Sequence, residues 1–241
     1  MNSAKKVLFW DFDGTLGYRE GMWSGTLAQV AREQGGLDLP VEAFRPHLAQ
    51  GFYWHDPHTP HPHLTTAGAW WQGLHPLFRD AFRNVGCEAD TAERLAQHVG
   101  PAYTHPAAWR LYDDVCPALD ALSERGWTHA IISNHVPELG ELLAHLGLSA
   151  CFAAVINSAC VGYEKPHPAI YAHALREMGD PDVAWMVGDN PIADVQGAEQ
   201  AGLPAILLRK THPSVRYQSQ DAHGVLELVE KAALSRTANR L

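Results

Sequence analysis

The sequence predicts an α/β protein in which a parallel sheet lies between two layers of helices and a helical domain is inserted after the first strand. From Cys116 onward, short apolar runs alternate with helical stretches, a pattern typical of a three-layer α/β/α core built from βα units. Over residues 17–109 apolar residues recur at helical spacing and no convincing strand is found, which indicates inserted helices. We therefore expect a core formed by residues 1–16 and 110–241 and a helical domain formed by residues 17–109.

The elements of the N-terminal part follow from its apolar pattern. Residues 7–10 form a short apolar run that Gly14 interrupts, which predicts a buried strand. Leu27, Val30 and Ala31 recur at helical spacing, which predicts a helix around them. The helices of this part are expected at residues 20–35, 67–85 and 89–103.

The C-terminal part is predicted to contain four further strands that alternate with helices. The strands are expected at residues 128–132, 153–156, 183–187 and 205–208. The helices are expected at residues 117–125, 137–146, 168–178, 192–201 and 223–235. In such a sheet the carboxyl ends of the strands lie at one edge, which is where ligands bind.

The composition narrows the classes of function. The 241 residues carry a formal net charge of −9 without a dense block of lysine or arginine, which argues against a nucleic acid polymer as partner. No apolar stretch approaches the roughly 20 residues that cross a bilayer, and the run before Asp11 is too short for a signal peptide. The 4 cysteines include no Cys-x-x-Cys pair, so we expect neither a disulfide framework nor a zinc knuckle. These features predict a soluble, cytoplasmic protein that does not bind a membrane.

Two carboxylates follow the first strand, one residue apart. Asp11 and Asp13 are expected to share one site, because residues i and i+2 of an extended chain point toward the same side. Adjacent carboxylates repel each other, so both stay ionised only beside a cation, and otherwise one of them keeps its proton. Oxygen donors of this kind favour Mg²⁺, which binds few carboxylates together with water and a substrate phosphate. The alternative is a plain Asp-Gly turn.

Two later strand ends add groups that suit a phosphate. Ser133 and Asn134 follow the predicted strand 128–132 and precede a helix that Pro137 can begin, so they can either bind an anion or merely cap the helix. Lys165, held by the proline that follows it, can neutralise a phosphate or a carboxylate, although most lysines are simply solvated.

A second pair of acids follows the predicted strand 183–187. Asp189 can complete the ligands of a cation, and Asp194, one helical turn further on, can hold its water molecules or orient Lys165. Either aspartate can instead cap the helix. Four strand ends thus carry, in order, two acids, a hydroxyl, a lysine and two acids, which is improbable by chance.

In the order and spacing of these residues the chain resembles the haloacid dehalogenase-like hydrolase superfamily. The four motifs of that superfamily match Asp11-Phe12-Asp13-Gly14-Thr15, Ser133-Asn134, Lys165-Pro166 and Gly188-Asp189 through Asp194. The resemblance spans residues 7–208 and implies a Rossmann-like core with an α-helical cap inserted after the first motif. Phosphoglycolate phosphatases are among the subfamilies that the chain resembles more loosely.

The resemblance implies a phosphatase with a covalent intermediate. Asp11 would attack a phosphate monoester to give an aspartyl-phosphate that water hydrolyses, and Asp13 would carry the proton in both steps. Mg²⁺ would be held by Asp11, the backbone carbonyl of Asp13 and Asp189. The phosphoryl oxygens would be bound by a hydroxyl, an amide and an ammonium group, those of Ser133, Asn134 and Lys165.

Other functions of the same fold are open at this stage. The dehalogenase branch lacks an aspartate at the position of Asp13, because a departing halide needs no proton, so Asp13 favours a phosphatase. A phosphomutase uses the same residues and keeps water from the aspartyl-phosphate, and a catalytically silent binding module would keep only the fold. The substrate is expected to be a small phosphorylated metabolite that the sequence does not specify, and the oligomeric state is also open.

The inserted domain carries aromatic and histidine side chains of undetermined role. The candidates for its inner surface are Trp23, Phe52, Tyr53, Trp54, Trp70 and Trp71, although aromatics at helical spacing more often form core. The proline-rich loop of residues 51–63 carries possible ligands of a second metal ion, namely His55, Asp56, His58, His61 and His63. These side chains can equally be solvated, or one histidine can recognise the leaving group. His135, next to the predicted phosphate-binding residues, is a candidate to contact the substrate.

Overall fold

The computed structural model of the protein describes residues 4–64 and 66–238. The strands are β1 (Lys6–Trp10), β2 (Gly17–Arg19), β3 (Trp109–Leu111), β4 (Trp127–Ser133), β5 (Ala154–Asn157), β6 (Val183–Gly188), β7 (Ala205–Leu208) and β8 (Gln218–Ser219). The helices are α1 (Met22–Gly35), α2 (Val41–Phe44), α3 (Ala67–Asn84), α4 (Ala89–Ala96), α5 (Val99–Tyr103), α6 (Val115–Glu124), α7 (Leu139–His145), α8 (Ser158–Val161), α9 (Pro168–Glu177), α10 (Gly197–Gln200) and α11 (His223–Ala238). A π-helical segment, Pro191–Gln196, leads directly into α10.

Six of the strands form one parallel sheet in the order β5-β4-β1-β6-β7-β8, which confirms the predicted α/β fold. The first strand lies inside the sheet, between β4 and β6. At its carboxyl end Trp10 is aligned with Ile131 of β4 and Val187 of β6. The residues that follow these three strands are therefore brought together at one edge.

The alternating side chains of β1 explain its place in the sheet. Leu8 and Trp10 belong to one hydrophobic layer, which includes the apolar sides of α6, α7 and α11. Val7 and Phe9 belong to the opposite layer, which includes α9 and α10. All four side chains are fully buried, as expected for a strand covered by helices on both faces.

The block predicted as inserted helices contains α1 to α5 and is bounded by a small antiparallel ribbon formed by β2 and β3. The expectation that residues 17–109 contain no strand is therefore wrong at both ends of the block. The ribbon pairs Gly17 with Leu111 and Arg19 with Trp109, so the predicted boundary at 16/17 coincides with the start of β2 and that at 109/110 falls inside β3. We keep the division into core and cap as a prediction, and we call residues 17–109 the cap.

Several predicted helices differ from those observed. The helix predicted at residues 89–103 is broken at Gln97 and His98, because Pro101 has no N–H to donate to the carbonyl of Gln97. The helix predicted from Pro137 begins only at Leu139. The helix predicted at residues 192–201 starts as the π-helical segment, whose first amides are capped by the side chain of Asn190.

None of the helices within residues 4–64 and 66–238 is long and apolar enough to span a membrane.

Candidate active site

Asp11 directly follows β1, and its carboxylate contacts the last residue of β4 and the loop of residues 162–167, which we call the lysine loop. Its backbone N–H donates to the carbonyl of Val187 in β6 at 2.9 Å, which holds the residue in line with the sheet. Its Oδ1 atom accepts a hydrogen bond of 2.7 Å from the Ser133 hydroxyl and lies 2.9 Å from the Lys165 ammonium. Sequence-predicted residues from β1, β4 and the lysine loop are thus in direct contact.

The Lys165 ammonium is buried between two carboxylates. It lies 2.9 Å from Asp11 and 2.5 Å from Oδ1 of Asp194, and only 2% of its side chain is exposed. Burial alone lowers the pKa of Lys165, but the two carboxylates more than offset this effect and raise its pKa above the ordinary value. The lysine is therefore a fixed positive charge, and Asp194 orients it.

The Asn134 side chain has a role that the sequence did not indicate. Its Nδ2 donates to the Lys165 carbonyl at 2.9 Å, and its Oδ1 accepts from the Lys165 backbone N–H at 2.7 Å. These two bonds join the end of β4 to the lysine loop. The general signal for this role was available, because asparagine side chains carry both a donor and an acceptor for peptide groups.

The backbone after β4 does not form the predicted anion-binding helix N-terminus. Because α7 begins at Leu139, the amides of Ser133 and Asn134 do not lie at a helix N-terminus. The segment is instead held by the last residue of β5, since Asn157 Nδ2 donates to the Val136 carbonyl at 2.7 Å. Any anion binding here would therefore rely on the Ser133 hydroxyl, Lys165 and single amides, without a helix dipole.

Three carboxylates form the only group of three or more possible metal-ligating acids, cysteines or histidines within the described ranges. Ligand atoms of Asp11, Asp189 and Asp194 all lie within 4.8 Å of one another. Burial raises the pKa of Asp194 to about 7 against the opposing effect of Lys165, and burial followed by the charge of Asp11 raises the pKa of Asp189. This crowding of negative charge is what a divalent cation would relieve.

The hydrogen bonds of these carboxylates indicate which of them have an oxygen to offer. Both Asp194 oxygens are engaged, Oδ1 by Lys165 and Oδ2 by the Asn190 N–H at 2.9 Å. Asp11 is engaged through Oδ1 and Asp189 through Oδ2, which lies 2.7 Å from the Lys210 ammonium. Asp11 and Asp189 thus each keep an oxygen that fits a hard cation such as Mg²⁺.

Two glycines make this packing possible. A Cβ atom at Gly188 would lie 2.2 Å from the carboxyl carbon of Asp194, and a Cβ atom at Gly14 would lie 2.5 Å from Oδ2 of Asp189. Gly14 also has a φ of +75°, which L side chains rarely adopt. Glycine at these two positions therefore leaves room for Asp194 and Asp189 to lie close to the end of β1.

Asp13 lines the site and lies next to a buried histidine. The Nε2 atom of His135 is 3.5 Å from Oδ1 of Asp13, and this ring is packed against Phe12, Tyr103 and Trp109. Burial lowers the pKa of His135, but Asp13 outweighs this effect and the pKa is raised. His135 is almost fully buried and does not line the cleft formed by the described residues, so the idea that it contacts substrate is not supported.

A cleft of about 500 Å³ lies between these strand ends and the cap. The core side includes Asp11, Asp13, Asn134, Lys165 and Asp189. The cap side is formed by residues of α1 and of the proline-rich loop, namely Met22, Trp23, Trp54, Pro57 and His58.

Of the six aromatic residues considered for the inner surface of the cap, two line this cleft. Trp23 stacks on Tyr103 with ring centroids 3.7 Å apart, and Trp54 stacks on Phe52 at 4.6 Å. Phe52 and Trp70 are buried core residues. Trp71 instead donates to Glu138 at 2.9 Å, which joins the cap to the segment before α7.

The histidines of the proline-rich loop do not form a metal site with one another within the described part of the chain. His61 contacts the core instead, since its Nε2 lies 3.0 Å from Oε1 of Glu164 and its backbone N–H donates to the Gly162 carbonyl at 2.9 Å. His55 accepts a bond from the Phe52 N–H, and His58 and His63 are exposed. The loop is thus anchored next to Lys165.

With this fold and geometry in place, comparison with known proteins gives the family. The profile of the haloacid dehalogenase-like hydrolases matches residues 5–202. The haloacid dehalogenase-like hydrolase domain-containing protein 3 of Mus musculus is 30% identical over 216 residues, which are 86% of this chain and 83% of that protein. A phosphoglycolate phosphatase of Rhodobacter capsulatus is 32% identical over 203 residues, with 83% of each chain covered.

A solved structure gives the same fold. The 2-haloacid dehalogenase of Pseudomonas syringae pv. Tomato DC3000 superposes with a TM-score of 0.65, covering 94% of this chain and 99% of that one, at 23% identity. This similarity concerns the fold alone. The profile match over residues 5–202, supported by the relative that is 30% identical, shows that the chain belongs to the haloacid dehalogenase-like hydrolases.

Proposed function

We propose that this hydrolase is a Mg²⁺-dependent phosphatase that cleaves a small phosphate monoester through an aspartyl-phosphate on Asp11. The observation that carries the proposal is the environment of Asp11. Its carboxylate lines the cleft, while Ser133 and Lys165 both hold the same oxygen, Oδ1. The other oxygen is thereby left to act as a nucleophile or ligand.

In the first half of the reaction, an Asp11 oxygen forms a bond to phosphorus and the bond from phosphorus to the ester oxygen breaks. Asp13 donates a proton to the departing alcohol, which is the role of a general acid. Lys165 and Ser133 are placed to offset charge on the phosphoryl oxygens, and Asp194 keeps the lysine in position.

In the second half, water attacks the phosphorus, the bond between Asp11 and phosphorus breaks, and inorganic phosphate leaves. Asp13, now ionised, accepts the proton of the attacking water and returns to its starting state. One residue therefore serves both halves, and as a residue that lines the cleft it can reach both the alcohol and the water.

The acids at the strand ends suit the proposed cation. Asp11 and Asp189 would hold Mg²⁺ together with the backbone carbonyl of Asp13. When bound, the ion would offset the charge between an anionic nucleophile and an anionic ester. Asp194 would act through Lys165, since both of its oxygens are already engaged.

Three further observations support a phosphatase over the other activities of this fold. Asp13 is present where dehalogenation needs no acid, and the Rhodobacter capsulatus relative is named as a phosphatase. The cap cleft is of a size for a small phosphorylated metabolite. A phosphomutase or a catalytically silent module stays an alternative, and we expect the protein to act in the cytoplasm.

The test is phosphate release from a panel of small esters that includes p-nitrophenyl phosphate, in Mg²⁺ and in EDTA, beside the Asp11→Asn protein. We expect release that requires Mg²⁺ and is abolished in the variant, because asparagine preserves the shape of Asp11 but cannot form the acyl phosphate. Release by the variant near the wild-type rate would refute the covalent mechanism. Dependence on an added bisphosphate with little free phosphate would indicate a mutase.

A further inference from the structure

The cap side of the cleft differs from the core side in charge. Among the described residues that line the cleft, the charged groups are Asp11, Asp13, Asp189 and Lys165, all from the core. The cap contributes Met22, two tryptophans, a proline and the exposed side chain of His58. The leaving group of an ester bound at Asp11 would face this apolar and aromatic side.

The lysines and the arginine found near the cleft in the described part of the chain each have a carboxylate partner. Lys165 lies between Asp11 and Asp194, and Lys210 lies 2.7 Å from Asp189. Arg45 of the cap lines a separate cleft of about 320 Å³ that shares Met22, Trp23 and Trp54 with the first, and its guanidinium faces Glu42 at 3.8 Å. A second anionic group on the substrate would therefore meet no lysine or arginine on the cap side of the cleft, as far as the described residues form it.

We propose that the cleft selects phosphate esters whose leaving group is uncharged and presents an apolar or aromatic face, and that it discriminates against esters bearing a carboxylate. This inference rests on the proposed phosphatase function. Trp23 and Trp54 are held by their own stacking partners, Tyr103 and Phe52, so they offer rigid flat surfaces. A carboxylate beside them would lose water without gaining a counter-charge.

Matched pairs of esters test the inference directly. Benzyl phosphate is compared with para-carboxybenzyl phosphate, and hydroxyethyl phosphate with phosphoglycolate, so that each pair differs chiefly in the carboxylate. We expect kcat/KM to be about tenfold or more higher for the neutral ester of each pair, and benzyl phosphate to be the best of the four. Equal or preferred turnover of the carboxylate esters would overturn the inference.

A variant that adds a cation to the cap side makes the test specific. Met22→Lys replaces one long unbranched side chain by another. We expect it to raise kcat/KM for the carboxylate ester of each pair, and so to lower the ratio of kcat/KM for the neutral ester to kcat/KM for the carboxylate ester. The control is Gln97→Lys, which adds the same charge at an exposed cap position outside the cleft and should leave the ratios unchanged. Identical ratios in the two variants would show that this side does not contact the leaving group.

Failure of the phosphatase proposal can be distinguished from failure of this inference. If the wild-type protein releases no phosphate from any ester, the phosphatase proposal fails. The affinities of the Asp11→Asn protein for the four esters in Mg²⁺ then decide the inference. Tighter binding of the neutral ester in each pair supports it, and equal binding or no binding overturns it.

Discussion

Nε2 of His61 and Oε1 of Glu164 lie 3.0 Å apart in an interface between the cap and the lysine loop, and both side chains are almost completely buried. The contact is reinforced on both sides. Tyr53 packs on the His61 ring with centroids 4.9 Å apart, and Gly162 lies so close to Pro62 that a Cβ atom there would be 2.7 Å from the Pro62 Cα. The proline-rich loop of the cap is thereby held next to Glu164, the residue that precedes Lys165.

Removing His61 should therefore destabilise the protein. In His61→Ala the buried Glu164 carboxylate loses its partner, and we expect the free energy of unfolding to fall by about 2 kcal/mol. Chemical denaturation measures the loss. His63→Ala is the matched control, because His63 belongs to the same loop but is exposed, and it should change stability by less than about 0.5 kcal/mol. Equal stability of the two variants would mean that the buried pair contributes nothing.

Asp13→Asn should affect esters according to how much their leaving groups need a proton. For an alkyl phosphate we expect kcat/KM to fall by roughly 100- to 10,000-fold, the usual contribution of general acid catalysis. For p-nitrophenyl phosphate the loss in kcat/KM should be much smaller, because nitrophenolate leaves without protonation. Steady-state kinetics with both esters measure the difference. The same loss for both would assign Asp13 a role other than leaving-group acid.

Mg²⁺ should stabilise the folded protein through Asp189. At a Mg²⁺ concentration 100 times its dissociation constant, we expect about 2.7 kcal/mol of stabilisation, seen as a higher melting temperature than in EDTA. Asp189→Asn should lose this shift. Its melting temperature in EDTA should be no lower than that of the wild type, because burial and Asp11 disfavour the charged form of Asp189. Asp38→Asn, at an exposed position of the cap, should keep the Mg²⁺-dependent shift.

Asp114 should make stability depend on pH in the acid range. Its carboxylate accepts two bonds from Arg209, of 2.6 and 3.0 Å, and one of 2.7 Å from the Ala222 N–H. Burial raises its pKa, but these bonds outweigh burial and the pKa is lowered. When the pKa of a carboxyl is lower in the folded than in the unfolded state, its full contribution to stability is present at pH values above the pKa of the unfolded state. The contribution is lost as the pH falls through the pKa of the folded state.

We therefore expect Asp114→Asn to be less stable than the wild type by about 1–2 kcal/mol at pH 7. The difference should stay constant down to about pH 5 and shrink below about pH 4. Urea denaturation across this range measures it. Asp113→Asn, at the neighbouring exposed position, should show no such trend. A difference that persists unchanged at low pH would mean that the ionised carboxylate is not what stabilises the fold.

The sheet could be predicted from the sequence because its central strands are buried on both faces. Such strands are continuous apolar runs, and residues 205–208 were predicted with the bounds that are observed. The ribbon formed by β2 and β3 was missed because each strand has three residues and its pairing partner lies far away in the chain. Short strands of this kind carry no periodicity of their own.

The residues of the candidate site could be predicted for a topological reason. Each lies at the end of a strand of one parallel sheet or directly after it, so the fold alone brings Asp11, Ser133 and Asp189 to the same edge. The partners of side chains in loops could not be predicted. Glu164 and His61 are 103 residues apart in the chain, and only the docking of the cap brings them into contact. The bond from Asn157 of β5 to the Val136 carbonyl, just before α7, is likewise a long-range contact.

The two bonds from Asn134 go to peptide groups of Lys165 and not to its side chain. The shape of the lysine loop is therefore encoded separately from the charge that it presents. A substitution that removes the Lys165 ammonium would leave both bonds from Asn134 in place, and a substitution of Asn134 would remove them while the ammonium group remains. The path of this loop and the charge that it presents therefore rest on different atoms of the same residue.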